Sequence, residues 1–285
     1  MPLMAENSKV IKSPACRASR RQDLARRAIL WSSLAVFILA LAIARVSLPL
    51  AVGVMVGIHF FFFLASLWPN SRLCVPVATR FDTREREVWL TFDDGPNPQE
   101  TPRVLALLAQ HRARATFFLI GREAEKNPGL VCEILAGGHA VANHTYTHQA
   151  VLFWAYPPSR FAREIDRSTE VLTAAAGVPP RFFRGPVGWH PPLLYQVLCR
   201  RELQPVGWTA RGLDYGDHNP SRVAGRLLRH LRPGAIFMLH PECRNRRGEN
   251  SSLSALEIVL REIDRAGYRC VLPSFAQVTE GRTQR

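Results

Sequence analysis

The chain of 285 residues has room for one sizeable domain and an appendage. Its six cysteines include no CxxC pair and follow no regular spacing, which argues against a disulfide framework or a zinc ribbon and suits a reducing compartment. The formal net charge of +14 is not accompanied by an interleaved aromatic and basic pattern. We therefore predict an anionic lipid surface or a phosphate-bearing substrate as the partner of this charge, and no nucleic acid.

A basic tail and two apolar segments are the first predicted elements. Residues 1–27 carry seven cations against two carboxylates, and residues 28–44 and 46–68 are uncharged runs of 17 and 23 residues separated by Arg45. One continuous helix of this length would be about twice the hydrocarbon thickness of a bilayer. We therefore predict a membrane anchor, residues 28–68, of two transmembrane helices folded as a hairpin. A single span with an interfacial segment is the alternative.

The arginines on either side of the anchor predict its topology. The tail and the stretch after the second apolar segment are both rich in arginine, which favours the cytoplasmic side for each flank. The hairpin therefore predicts an inner-membrane protein whose soluble domain faces the cytoplasm. A single span would place that domain on the periplasmic face instead.

Beyond a polar linker, residues 69–86, apolar strand-like runs alternate with helix-like stretches. Proline at the first helical position, after Thr101, Asn127 and Asn219, indicates where three of the helices begin. Seven β/α units in series predict an α/β fold with a parallel sheet closed as a barrel, and an open doubly wound sheet is the alternative. The predicted strands are residues 88–92, 115–120, 140–143, 181–184, 205–208, 235–240 and 268–272.

Residues with metal-binding or acid–base chemistry follow these strands. Asp93 and Asp94 are adjacent carboxylates at a strand end, an arrangement that is costly without a neutralising cation. His144 and His148 are four positions apart, so on a helical turn they would share one face and could share a metal. Chemistry collects at the carboxyl ends of the strands of a β/α barrel. Six candidates fall at or just beyond those ends: Asp93, Asp94, His144, Arg184, Asp214 and His240.

Four sequence motifs carry a family resemblance. TFDDGP at 91–96, HTYTH at 144–148, Arg-Gly-Pro at 184–186 and an apolar run ending in His240 resemble the polysaccharide deacetylases, the NodB-homology proteins of carbohydrate esterase family 4. The resemblance covers essentially the whole soluble part, residues 87–278, and we predict a deacetylase domain over residues 87–280. It implies a distorted (β/α)7 barrel and a metal-dependent hydrolase that removes N-acetyl groups from amino sugars.

The resemblance also implies roles for the matching residues near the metal. Asp94, His144 and His148 match the metal ligands, a set for which we favour zinc and which suits cobalt, nickel or iron as well. Asp93 matches the catalytic base. Arg184 matches the arginine that keeps this base ionised and oriented.

The remaining motif positions match the family less closely. His240 matches the general acid, and Asp214, in a segment that departs from the usual pattern, is assigned as a charge partner of Arg184 or His240. Val187 replaces an aromatic residue whose backbone N–H stabilises the oxyanion, which leaves a backbone donor available. Trp189 is a candidate sugar-stacking surface, and a buried core tryptophan is an equal alternative.

Two groups of arginines lie outside these motifs. Arg244, Arg246 and Arg247 follow His240 and are predicted to line the mouth of the active site, where guanidinium groups suit phosphate. A solvated basic loop is the alternative. A second group is spaced to share one helix face, for which we favour solvated surface over a membrane contact: Arg222, Arg226, Arg229 and Arg232.

These observations predict an N-deacetylase of an N-acetylhexosamine. The anchor and the basic mouth favour a polyprenyl-phosphate-linked sugar of the N-acetylglucosamine type, used in lipid A or envelope glycan modification. Deacetylation of periplasmic peptidoglycan or poly-N-acetylglucosamine is the alternative, and O-deacetylation would use the same residues. A reading of another class is a non-catalytic module that binds a glycan or a lipid.

Overall fold

The computed structural model describes residues 31, 34–39, 42, 45, 47–71, 75–241 and 251–280. The predicted basic tail lies outside this part of the chain, as does much of the first predicted span. The chain separates into two compact units, Met1–Phe62 and Phe63–Arg285. None of the helices in the described ranges combines the length and the apolar character that a membrane span requires. The predicted transmembrane hairpin therefore has no support from the structure.

From Glu87 onwards, strands and helices alternate along the chain, as predicted. The helices are α1 (Leu48–Leu67), α2 (Thr101–Gln110), α3 (Gly121–Lys126), α4 (Pro128–Ala136), α5 (Ala150–Phe153), α6 (Pro158–Ala176), α7 (Leu194–Cys199), α8 (Pro220–Leu228), α9 (Ser251–Arg265) and α10 (Phe275–Glu280). The strands are β1 (Glu87–Asp93), β2 (Ala115–Leu119), β3 (Ala140–Asn143), β4 (Phe182–Phe183), β5 (Gln204–Pro205), β6 (Ala210–Arg211), β7 (Ala235–Leu239) and β8 (Arg269–Cys270). Strand β6 is an addition to the seven that the sequence predicts.

The strands form one parallel sheet in the order β5-β4-β3-β2-β1-β7-β6, and β8 pairs with the start of β1. Strand β1 lies between β2 and β7, with Leu90 opposite Ala115 on one side and Phe237 on the other. Every residue of β2 and β7 is buried, as expected for parallel strands covered on both faces. The predicted parallel α/β architecture is confirmed, and it brings the carboxyl ends of the strands to one edge.

The sheet curls into a half-barrel and does not close, because the path of paired strands in the described residues ends at β5 and β6. These end strands are two residues long and offer few backbone bonds for closure. Residues 75–81 run between the two ends. Ala78 forms a parallel bridge with Val206, just after β5, and Arg80 forms an antiparallel bridge with Ala235 at the start of β7.

Part of the predicted linker, residues 69–86, thus belongs to the folded domain. Val75, Val77 and Ala78 are 0% exposed and Phe81 is 2% exposed. Asn70 is also fixed: its amide Nδ2 donates to the carbonyl of Trp208, 3.0 Å away. This contact ties the start of the segment to the residues that follow β5.

The side chains of β1 alternate between two parts of the core. Leu90 and Phe92 pack among the side chains of α2, α8 and α9, whereas Trp89 packs with Phe118 and Ile236 on the concave face of the curled sheet. This alternation follows from the period of two in a strand. Residues 91 and 93 therefore also face the concave side. The alternation along β1 thus decides which of its side chains reach that face at the carboxyl end of the strand.

Candidate active site

The end of β1 delivers two carboxylates to one pocket. Asp93 is the last residue of the strand and is 3% exposed. Asp94 leaves the strand with φ +65°, in the left-handed region that few residues other than glycine adopt. Two successive residues of a regular strand would point to opposite faces, but this turn lets both carboxylates line the same pocket of about 660 Å³.

His144 and His148 do not lie on a helical turn, which corrects the geometry expected from their spacing. Residues 144–149 form a loop, and Thr145 and His148 have φ +65° and +52°. Side chains take the backbone donors that a helix would use. The Asn143 Oδ1 accepts the Thr145 N–H at 2.9 Å, and the Thr145 Oγ1 accepts the His148 N–H at 3.2 Å.

A buried carboxylate from α6 fixes the middle of this loop. Glu164 is 9% exposed, and its Oε2 accepts the backbone N–H groups of Tyr146 and Thr147 at 3.1 and 2.8 Å. Its Oε1 accepts the Thr147 hydroxyl at 2.8 Å. Glu164 thus provides hydrogen-bond acceptors for N–H and O–H groups that would otherwise be unsatisfied in the interior. The loop, and not helical periodicity, brings the two imidazoles together.

Asp94, His144 and His148 form a candidate metal centre. The Nε2 atoms of His144 and His148 lie 3.4 and 3.3 Å from the Asp94 Oδ1, and one ligand atom from each residue lies within 4.8 Å of the others. The Asp94 Oδ1 is buried and has no hydrogen-bond partner among the residues that the structure describes. The site thus offers one buried carboxylate oxygen and two ring nitrogens close together. Such a set of ligand atoms fits a divalent metal.

The tautomers and charges of these groups also suit a metal. The His144 Nδ1 lies 2.7 Å from the carbonyl of Arg184, which can only accept, so Nδ1 carries the proton and Nε2 offers its lone pair. Burial lowers the pKa of His148 to about 4, which keeps that imidazole neutral. Burial opposes ionisation of Asp94, but the neighbouring imidazoles of His144 and His148 outweigh it, so the pKa of Asp94 lies below its usual range.

Arg184 holds Asp93 in place. This arginine follows β4, is 0% exposed and forms an ion pair with the Asp93 Oδ1. Its other donors reach the Thr91 hydroxyl at 3.0 Å, the Val206 carbonyl at 3.1 Å and the Gly207 carbonyl at 2.7 Å. The guanidinium group therefore orients the Asp93 carboxylate and balances its buried charge.

Asp214 is the partner of His240 and not of Arg184, which decides between the two sequence alternatives. The Asp214 Oδ1 accepts the His240 Nδ1–H at 2.9 Å, and Oδ2 accepts the His240 backbone N–H at 2.7 Å and the Ser252 hydroxyl at 2.9 Å. Burial disfavours the imidazolium, but the hydrogen bond and charge of Asp214 prevail and raise the pKa of His240. Because Nδ1 is bonded to Asp214, Nε2 is the ring nitrogen of His240 that is available to contact a substrate.

Val187 and Trp189, two further predicted site residues, differ in whether they line the pocket. Val187 lines the pocket and is 45% exposed, and its φ of +60° is a strained value for a β-branched residue. Trp189 is not among the described residues that line the pocket and packs against the cluster around Phe153, so the core alternative describes it. Arg244, Arg246 and Arg247 lie outside the described residues.

The structure adds residues that the sequence reasoning missed. The Tyr215 hydroxyl donates to the Asp94 Oδ2 at 2.7 Å, and its ring centroid lies 4.3 Å from that of His240. Trp208 supplies the pocket wall that was assigned to Trp189. The signal for Tyr215 was an aromatic residue directly after Asp214. Nothing in the sequence ranks one tryptophan above the other.

Comparisons with known proteins agree with this geometry. The polysaccharide deacetylase family matches residues 80–206. A chitooligosaccharide deacetylase from a Bradyrhizobium species is 34% identical over 64% of this chain and 87% of its own length. A peptidoglycan-N-acetylglucosamine deacetylase from Bacillus cereus is 32% identical over 69% of this chain and 70% of its own length. The structure of a family 4 carbohydrate esterase from Streptomyces lividans in complex with acetate superposes with a TM-score of 0.60 at 29% identity, and the match covers 66% of this chain and 93% of the esterase. The chain therefore belongs to the polysaccharide deacetylase family, as its motifs predict.

Proposed function

We propose that this protein is a metal-dependent N-deacetylase of N-acetylglucosamine-type residues in a glycan. One observation carries the proposal: a single pocket joins the Asp94–His144–His148 centre to a base and an acid that each have a dedicated partner. The base is Asp93, paired with Arg184. The acid is His240, paired with Asp214.

The reaction adds water to the acetyl carbonyl and breaks the C–N bond, which yields acetate and a free amine. Asp93 accepts a proton from the attacking water, and His240 delivers a proton to the departing nitrogen. Arg184 orients Asp93, and Asp214 favours the protonated form of His240. A divalent cation held by Asp94, His144 and His148, when bound, supplies a Lewis acid and lowers the pKa of water.

The relatives support a glycan substrate. One is named for chitooligosaccharides and another for peptidoglycan N-acetylglucosamine. The polyprenyl-phosphate-linked sugar predicted from the sequence rests on the anchor and on arginines outside the described residues, so we place it second. The cytoplasmic face of the inner membrane remains a proposal. A reporter fused at Arg285 tests it, since periplasmic exposure favours a polymer and cytoplasmic exposure a lipid-linked sugar.

The decisive experiment is acetate release by the purified full-length protein loaded with zinc or cobalt. The substrates are N-acetylated chitotetraose and peptidoglycan, and an O-acetylated oligosaccharide distinguishes ester from amide hydrolysis. We expect Asp93→Asn to keep its metal and lose at least about 100-fold in rate, as removal of a general base does. The control is Asp264→Asn, a change to a 51% exposed side chain near the amino ends of the strands.

Two results would argue against this function. Equal acetate release by wild type and Asp93→Asn would show that Asp93 is not the base. Binding of chitotetraose without acetate release from any substrate would favour the non-catalytic module.

A further inference from the structure

One wall of the catalytic pocket is strongly basic. Arg211 ends β6 opposite Met238, two residues before His240, and therefore lies at the catalytic edge of the sheet. Arg222 and Arg226, from α8, line the same pocket, and Arg226 and Arg229 line an adjoining cleft with Arg211. This wall therefore extends from the end of β6 to α8, whose arginines the sequence analysis predicted to be solvated surface.

Asp217 is the only carboxylate among the described residues that pairs with these arginines, and it accounts for two of them. Its Oδ1 accepts the Arg222 Nη2–H at 2.8 Å, and its Oδ2 pairs with Arg226. Arg226 also donates to the Gly212 carbonyl at 3.1 Å. Arg211 and Arg229 are therefore left without a carboxylate partner among the described residues.

Arg211 is held in place without using its hydrogen-bond donors. Its guanidinium carbon lies 5.6 Å from the ring centroid of Trp208, within the range of a cation–π contact. Trp208 is 6% exposed and packs directly on Gly188, so it forms a fixed platform. Within the described residues, the donors of Arg211 have no hydrogen-bond partner. An oriented guanidinium group with free donors in a pocket is suited to a carboxylate or a phosphate.

We propose that Arg211, with Arg229 beside it, forms an anion subsite that recognises an acid group on the glycan next to the N-acetylated sugar. The inference deepens the proposed function and rests on it, because the reacting acetamide at Asp93 and His240 and the acid group at Arg211 occupy one pocket. The preferred substrate class is an acidic glycan, in which the acid is a carboxylate or a phosphate. A neutral chitooligosaccharide leaves the subsite without a partner.

The test compares three substrates with matched reacting sugars. They are N-acetylated chitotetraose, a peptide-free peptidoglycan tetrasaccharide with lactyl carboxylates, and a chitooligosaccharide with a terminal phosphate. We expect Arg211→Gln to lower kcat/KM about tenfold on an acidic substrate, mainly through KM, because one charge-assisted contact is lost. The loss on chitotetraose should be clearly smaller, so the ratio of kcat/KM on the acidic substrate to that on chitotetraose should fall. Loss on the carboxylate or on the phosphate substrate alone identifies which acid the subsite takes.

Two further variants complete the design. Arg229→Gln should reduce kcat/KM on the same acidic substrate by a smaller factor. The control is Arg265→Gln, which removes a 72% exposed arginine at the end of α9, next to the start of β8 and away from the catalytic edge. It should change none of the three rates.

Other outcomes overturn the proposal. An equal loss of kcat/KM on neutral and acidic substrates would show that Arg211 has only a structural role. Unchanged rates on both acidic substrates would show that it is solvated surface. If wild type releases acetate from no substrate, the proposed function fails, and calorimetry with the acidic oligosaccharides then decides the subsite alone. Tighter binding by wild type than by Arg211→Gln supports it, and equal binding overturns it.

Discussion

Asp214 accepts two hydrogen bonds from His240, one from the ring and one from the backbone of the same residue. The ring bond fixes the tautomer and the backbone bond fixes the position of the carboxylate relative to β7. The Ser252 hydroxyl, from α9, completes the set on Oδ2. His240, the proposed general acid, is therefore oriented by a carboxylate that is itself fixed by contacts from β7 and α9.

The pH dependence of catalysis should report this contact. Burial works against the imidazolium, and Asp214 more than offsets it, so the pKa of His240 lies above its ordinary value. A general acid works while protonated, so the rate should fall as the pH rises through this pKa. Asp214→Asn removes the negative charge and should move this alkaline limb to lower pH. On the limb itself the rate at a fixed pH should drop about tenfold for each pH unit by which the limb moves, as the pH profile of kcat/KM will measure.

Ser252→Ala is the matched control for that change, since it removes one hydrogen bond and leaves the charge. Because the Asp214 charge that raises the pKa of His240 remains, the alkaline limb of Ser252→Ala should stay close to that of wild type. An unchanged limb in Asp214→Asn would mean that another group supplies the proton.

Tyr215 should affect metal binding more than catalytic chemistry. Its hydroxyl donates to the Asp94 Oδ2, the oxygen that faces away from the two imidazoles. Such contacts orient metal-ligating carboxylates, and their loss weakens metal binding about 10–100-fold. Tyr215→Phe should therefore lower zinc affinity, measured by competition with a chelator, while its ring still packs on His240. His218→Ala, at an exposed histidine, is the control, and equal zinc affinity of all three proteins would exclude the role.

Loss of Arg184 should destabilise the fold as well as abolish activity. Arg184→Ala leaves Asp93 as an unpaired buried charge, which costs about 3–5 kcal/mol. The comparison is Arg201→Ala, which breaks a partly exposed pair with Asp166 and should cost about 1 kcal/mol or less. Urea unfolding of both variants measures the difference. Similar losses in the two proteins would show that the buried pair contributes little to stability.

Gly188 should be intolerant of any side chain. It has φ +74°, and the indole of Trp208 occupies the space that a Cβ would need. Gly177 has φ +72° and open space around it, so Gly177→Ala isolates the backbone cost of about 1 kcal/mol. Gly188→Ala should lose about 3 kcal/mol, because displacement of Trp208 adds an overpacking cost of about 1–3 kcal/mol. Thermal unfolding compares the two, and equal losses would exclude the clash.

The sequence predicts the parts of this fold that have strong local signals. Long apolar runs ending in Asp93 or His240 predict buried parallel strands, and the motifs predict which side chains meet. The loop that carries His144 and His148 is different. Its geometry depends on Glu164, 20 residues after His144, because the Glu164 carboxylate accepts backbone N–H groups of the loop. Spacing alone therefore predicted a helix.

Short strands and aromatic platforms escape prediction for a related reason. Strand β6 has two residues, and its pairing depends on its position beside β7 and not on its own pattern. Trp189 and Trp208 have similar local sequence signals. Only the folded structure shows that the Trp208 ring lies against Gly188 and lines the pocket, whereas Trp189 packs against the cluster around Phe153.

The bridge that residues 75–81 make between β5 and β7 decides where this domain can be cut. A polypeptide beginning at residue 87, the boundary predicted from the sequence, would lack both Ala78 and Arg80. Backbone N–H and C=O groups at both ends of the curled sheet would then be available to neighbouring molecules, which is how uncovered strand edges aggregate. The family match begins at residue 80 and also omits Ala78. A monodisperse catalytic fragment must therefore start before Val75.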